Sequence, residues 1–196
     1  MFSLDAYNPD SLSAFLTTTG LVAIAEIGDK TQLLSLLLAA RFRRPLPILA
    51  AILCATLANH VLAAMLGVWV EGLVEPKILR WALAASFLAM AAWTLIPDKL
   101  DEDDAPKTRN GVFVTTLIAF FLAEIGDKTQ LATTALAARF DAVFLVTAAS
   151  TLGLLLANAP VVLLGNRAVS RLPLKPIRFI AAAAFAAMGL AILLGG

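Results

Sequence analysis

Long apolar runs alternate along the chain with short charged breaks. A helix that crosses the hydrocarbon core of a bilayer needs about 20 mostly apolar residues. Six stretches reach that length: residues 11–40, 47–70, 78–96, 111–138, 143–165 and 177–194. The pattern predicts an all-α polytopic membrane protein of six transmembrane helices. Only one break is long, residues 97–110. It holds Asp98, Asp101, Glu102, Asp103 and Asp104 but lacks the glycine and spacing of an EF-hand. It reads as a solvated acidic linker; a cation-concentrating cytoplasmic patch is the sharper alternative.

Composition narrows the class. Of 196 residues, 60% are hydrophobic and 15% charged, with a mean hydropathy of +0.87. Soluble domains carry roughly 25% charged residues. So few charges cannot cover a water-facing surface, which excludes a soluble enzyme, a disulfide-stapled domain and a disordered chain. A net charge of +1 gives no reason to expect nucleic-acid binding. Cys54 is the single cysteine and His60 the single histidine, so neither a disulfide nor a Cys/His zinc cage can form within the chain. No Ser/His or His/Asp constellation supports a membrane enzyme.

Lysine and arginine set the expected orientation. With six spans, the termini share a side with the second and fourth loops, which hold Lys77, Arg80 and Arg139. The other side holds Arg41, Arg43, Arg44, Lys99, Lys107, Arg109, Arg167, Arg171, Lys175 and Arg178. The bias predicts termini outside and the acidic linker in the cytoplasm, in an inner (plasma) membrane. The start of the chain, with two Asp and no Lys or Arg, does not read as a secretory leader. Trp69, Trp81 and Trp93 fall near span ends, either as interfacial anchors or as packing residues.

The strongest signal is an internal repeat. Ala25-Glu26-Ile27-Gly28-Asp29-Lys30-Thr31-Gln32-Leu33 recurs unchanged as Ala123-Glu124-Ile125-Gly126-Asp127-Lys128-Thr129-Gln130-Leu131, at an offset of 98. The same offset pairs Arg41-Phe42 with Arg139-Phe140, Gly67 with Gly165, Arg80 with Arg178, Phe87 with Phe185 and Met90 with Met188. Residues 1–97 and 111–196 therefore read as two three-helix repeats joined by linker 98–110. Three is odd, so the second repeat enters the membrane from the opposite side. Inverted repeats of this kind are typical of secondary transporters, whose substrate site lies near the midplane.

Both copies of the motif lie deep in a span, where ionisable groups are costly and face a cavity or one another. Glu26 and Lys30 have the spacing of an intrahelical ion pair, which would make them merely structural. That reading leaves Asp29 and the duplication without a reason. On a continuous helix Glu26 and Asp29 share a face. Gly28 and Gly126 weaken the helix and permit local unwinding. Thr31, Gln32, Thr129 and Gln130 add neutral oxygens. The repeat brings Glu124 and Asp127 to Glu26 and Asp29 as an oxygen-rich cage. With Lys30 and Lys128 as counter-ions its net charge is −2, matched to one divalent cation. Hard oxygens suit Mn²⁺, Ca²⁺ or Mg²⁺. Proton and cation then compete for the same oxygens, which is the physical basis of antiport. An ammonium cannot ligate a cation, so the lysines read as gating or counter-ion groups.

These two Glu-x-Gly-Asp-Lys-Thr copies resemble the paired signature of the Golgi-type calcium/manganese:proton antiporters and the bacterial manganese exporters of the MneA type. The resemblance covers the whole chain. It implies export of Mn²⁺, with Ca²⁺ the alternative, from the cytoplasm in exchange for protons or sodium. The metal-binding acids it implies are Glu26, Asp29, Glu124 and Asp127, with no resident cofactor. The competing function class is an exporter of small organic solutes such as amino acids, which would have a larger cavity and fewer acids. Asn59, His60 and Asn158 are polar residues inside the second and fifth spans. The two asparagines pair only at an offset of 99, and read as interhelical hydrogen-bonding or supporting groups. Two repeats in one chain make a monomer sufficient and leave a homodimer open.

Overall fold

The computed structural model describes residues 9–98, 111–165 and 173–195, and all their regular structure is helical. Eight helices follow one another among them: α1 Pro9–Glu26, α2 Lys30–Phe42, α3 Pro45–Glu71, α4 Pro76–Thr94, α5 Val112–Glu124, α6 Lys128–Phe140, α7 Val143–Leu164 and α8 Leu174–Leu194. Prolines open α1, α3 and α4, in the first turn, where a missing N–H costs no intrahelical bond. Helices α3, α7 and α8 are each long and apolar enough to cross a membrane, and α1 with α2 adds a fourth span if the bent pair counts as one.

The expected continuous spans 11–40 and 111–138 are each two helices. Gly28 and Gly126 stand at φ +83° and +75°, in the left-handed region that ends a helix. In both copies the Asp N–H donates three residues back, Asp29 to Glu26 at 3.1 Å and Asp127 to Glu124 at 3.2 Å, and a new helix begins. The α1–α2 axis bends by 65° there. The side-chain amide of Gln32 accepts from the Gly28 N–H at 2.9 Å, and that of Gln130 from the Gly126 N–H at 2.7 Å. Each break is thus closed by its own motif, and the unwinding that glycine permits occurs twice.

Small residues set the close crossings, as expected where lipid removes most of the hydrophobic drive between helices. A Cβ on Gly67 of α3 would lie 2.1 Å from Thr134 O of α6, and one on Gly153 of α7 would lie 2.6 Å from Thr19 O of α1. Helix α4 packs on α8, where the repeat-paired Phe87 and Phe185 are both fully buried with ring centroids 6.3 Å apart. Two apolar clusters flank the centre, one around Phe87, Leu136 and Phe185 and one around Ile48, Ile52 and Phe120. The outer surface exposes large apolar side chains such as Leu62, Met65, Leu66 and Trp69 of α3. This inversion of the soluble pattern, acids inside and leucines outside, belongs to a membrane-spanning chain.

Candidate metal centre

The two breaks meet in the interior. Glu26 is the last residue of α1, and Asp29 and Asp127 stand at the N-termini of α2 and α6. Neither aspartate caps its helix through its side chain, which leaves the carboxylate oxygens for other partners. One oxygen from each of Glu26, Asp29 and Asp127 lies within 4.8 Å of the others. Glu26 and Asp29 are fully buried and Asp127 is half-buried. The helical face expected to join Glu26 to Asp29 does not exist, because the chain leaves the helix between them. Convergence comes from the break itself, which turns both acids inward from opposite helix ends. The same break takes Glu26 and Lys30 out of i, i+4 register.

Neutral groups fix the acids. Thr31 donates to Glu26 Oε2 at 2.6 Å, and Asn158 of α7 donates to the same oxygen at 3.1 Å. Asn158 is itself held by Ser35, whose hydroxyl donates to its Oδ1 at 2.7 Å. Thr129 donates to Asp127 Oδ2 at 3.1 Å. The glutamine amides reach across to the other half, Gln32 to Ala157 O at 3.0 Å and Gln130 to Asn59 Oδ1 at 3.5 Å, while Asn59 donates to Phe121 O at 3.1 Å. Ala157 and Asn59 are also related by the offset of 98, so the two glutamines meet repeat-related positions, one through a backbone carbonyl and the other through a side-chain oxygen.

Lys128 places its ammonium 2.5 Å from Asp29 Oδ1, donates to Asp98 and lies 5.9 Å from the centroid of the Trp93 ring. Asp98 opens the acidic segment expected to be a solvated linker. It turns back to the site instead, and the remaining acids of that segment lie outside the described residues. Lys30, the matching lysine of the first copy, is half-buried.

Glu124 departs from the expected four-carboxylate cage. It is fully buried but sits outside the three-acid cluster, with Oε2 3.5 Å from Nε2 of His60. Among the described residues neither carboxylate oxygen of Glu124 and neither ring nitrogen of His60 has a hydrogen-bond partner. His60 carries no motif of its own, yet the sequence contains its signal: the offset of 98 pairs it with Asn158. The residue against Glu26 and the residue against Glu124 are therefore repeat mates, histidine in one half and asparagine in the other. Aligning the two asparagines, which needs an offset of 99, conceals this.

Three carboxylates and one ammonium sum to −2 when ionised, the charge that one divalent cation offsets. Oxygen ligands on opposite sides of a calcium-sized ion are about 5 Å apart, and the 4.8 Å cluster fits that geometry. Glu26 Oε1 and Asp29 Oδ2 are buried with no hydrogen-bond partner among the described residues. Buried acceptors left bare are costly and call for a cation or a proton.

The family model of the divalent cation/proton antiporter GDT1 matches residues 14–102 and 112–196. A protein of Vibrio cholerae serotype O1 named "Putative manganese exporter" is 58% identical over 182 residues, covering 92% of this chain and 90% of its own. GDT1-like protein 3 of Oryza sativa subsp. indica is 26% identical over 93% of this chain and 74% of its own. GDT1-like protein sll0615 of Synechocystis is 27% identical over 86% of this chain and 91% of its own. No solved structure matches. The two matched segments include both motif copies, with Glu26, Asp29, Glu124 and Asp127, so the protein is a transporter rather than an enzyme: the chain belongs to the GDT1 divalent cation/proton antiporter family.

Proposed function

We propose that this chain exports Mn²⁺ from the cytoplasm in exchange for protons, with the ion held by Glu26, Asp29 and Asp127. The observation that carries the reading is the convergence of carboxylates from both motif copies within 4.8 Å, at a buried point between two helix breaks. Hard oxygen donors favour Mn²⁺ or Ca²⁺, and the name of the Vibrio cholerae relative supports Mn²⁺. When the ion leaves, the bare oxygens take protons in its place, which couples the two flows. Sodium is the alternative coupling ion. Thr31, Gln32, Thr129, Gln130, Asn59 and Asn158 hold the acids in place, and Gly28 and Gly126 provide the breaks. Glu124, the fourth acid implied by the resemblance, stands on His60 in this conformation and replaces Glu26 when the halves exchange roles.

The wider frame of this proposal is two inverted three-helix repeats, six spans in a plasma membrane, with termini outside and the linker cytoplasmic. Uptake into proteoliposomes tests the transport reading: Mn²⁺, Ca²⁺ and Mg²⁺ are offered under an imposed pH or sodium gradient. Mn²⁺ uptake that follows the pH gradient and is lost in E26Q and D127N is the expected result. Uptake that persists in both variants would overturn the site. Replacing Cys54 and labelling single cysteines near each terminus tests the orientation.

A further inference from the structure

We propose that Asp98 is a positioning residue that draws the Lys128 ammonium away from Asp29 when a divalent cation enters the carboxylate cluster. The proposal rests on the reading of Glu26, Asp29 and Asp127 as the ion site and adds to it a residue outside both motifs. Lys128 is itself a cation tethered in that site. Its ammonium, 2.5 Å from Asp29 Oδ1, occupies part of the space that a metal ligated by Asp29 would need. Two like charges on one carboxylate repel strongly at this depth, where screening is weak. The ammonium must leave Asp29, and its side chain is only 4% exposed, so it has little water to move into. It needs a second anion within reach.

Asp98 is that anion. Lys128 already donates to it, so the transfer only shifts an existing contact from shared to exclusive. The Asp98 side chain is 23% exposed where Asp29 is fully buried, which makes it the solvent-side partner of the pair. The Trp93 ring lies beside the ammonium and offers its π face to the cation. The offset of 98 does not repeat this acid, since the position it relates to Asp98 is Gly196. The device joins a residue of the second motif copy to one outside both motifs. It ties ion occupancy in the interior to the first residue of the acidic segment between the halves.

The test is the KM for Mn²⁺ in proton-driven uptake by the full chain in proteoliposomes. D98N removes the second anion, leaves Lys128 on Asp29 and raises the KM about tenfold, within the usual range of coupling between charged sites. D98E restores the wild-type value to within about twofold, the margin of simple additivity. In a K128Q background, or K128M if K128Q does not fold, D98N changes the KM by less than about twofold, because no ammonium remains to be drawn away. A wild-type KM in D98N, a D98E value as high as that of D98N, or an equal rise in the Lys128 variants would each overturn the proposal. D29N separates the two levels of the argument. If D29N loses Mn²⁺ binding while D98N behaves as wild type, only the role of Asp98 falls. If D29N binds Mn²⁺ normally, the ion site falls with it.

Discussion

Around the first motif copy, Glu26 accepts hydrogen bonds from Thr31 and Asn158 and joins the acid cluster. Around the second, Glu124 faces His60 at 3.5 Å, and Thr129 serves Asp127 instead. Nine identical residues thus share one backbone geometry, down to the glutamine that closes each break, but not one environment. A second pair of sites repeats the contrast. Gly67 is pressed against the backbone of α6, whereas its repeat mate Gly165 meets no atom of the described residues within 4 Å of an added Cβ and borders a cavity of about 740 Å³ between α2 and α7. Local sequence sets the turn; the opposite half sets what the carboxylate touches and how tightly the helices close. If the halves exchange roles as proposed, such inequality is what distinguishes the two states.

The largest test of the comparison is the acids themselves. E26Q, D29N or D127N should weaken equilibrium Mn²⁺ binding by at least about 100-fold, the loss of a ligand exceeding the 10–100-fold typical of supporting residues. E124Q should stay within about tenfold of wild type by the same scale, because Glu124 stands outside the cluster. Calorimetric titration of the solubilised protein measures both. Equal losses in E26Q and E124Q would mean that the two copies contribute alike and that the inequality has no consequence for binding.

Gly67→Ala comes next and acts on stability. A Cβ at 2.1 Å from Thr134 O and 3.1 Å from Ala138 N forces α3 and α6 apart, since both contacts are backbone. Overpacking of this kind costs about 1–3 kcal/mol. A thermal or denaturant unfolding series in detergent reads it. A Gly67→Ala protein as stable as wild type would show that the closed crossing is loose.

Exchanging the partners of the two glutamates probes the same contrast more gently. N158A strips Glu26 Oε2 of one donor and Ser35 of its acceptor, and should weaken Mn²⁺ binding about tenfold, in line with an unmade buried hydrogen bond. H60N makes the two halves alike at this position and supplies a donor to Glu124, so binding should change by less than about threefold on the same scale. If H60N proved the more damaging of the two, histidine beside Glu124 would matter more to the ion than asparagine beside Glu26.

Much of this arrangement is legible in the sequence, and the illegible part has a common cause. Apolar runs mark the helices, and glycine inside a deeply placed acidic motif marks the breaks, because both depend on residues within a few positions of each other. The offset of 98 even contains the pairing of His60 with Asn158. What sequence does not reveal is which half each acid leans on. Glu124 stands beside His60 of α3 outside the three-acid cluster, and Asp98 meets Lys128 of α6; both are contacts between distant segments. The break also reverses the helical-face argument. The i, i+3 spacing of Glu26 and Asp29 suggested a shared helix surface, and the acids converge only because that helix ends.

The finest distinction between the copies lies in their glycines. Gly28 and Gly126 both hold positive φ, so alanine at either position costs about 1–2 kcal/mol for the left-handed conformation. That common term cancels when G28A is compared with G126A. What remains is the surroundings: a Cβ at Gly28 would lie 3.2 Å from Leu174 Cδ2, at the start of α8, whereas one at Gly126 meets nothing within 4 Å among the described residues. A methyl carbon at the end of a leucine can give by a few tenths of an ångström, so the excess cost of G28A should be small, under about 1 kcal/mol and below the usual range for overpacking. Paired unfolding curves of the two variants measure it directly. G28A less stable than G126A by that margin places the first break in a packed setting and the second in an open one. The reverse order would mean that the two breaks differ in backbone strain rather than in what surrounds them.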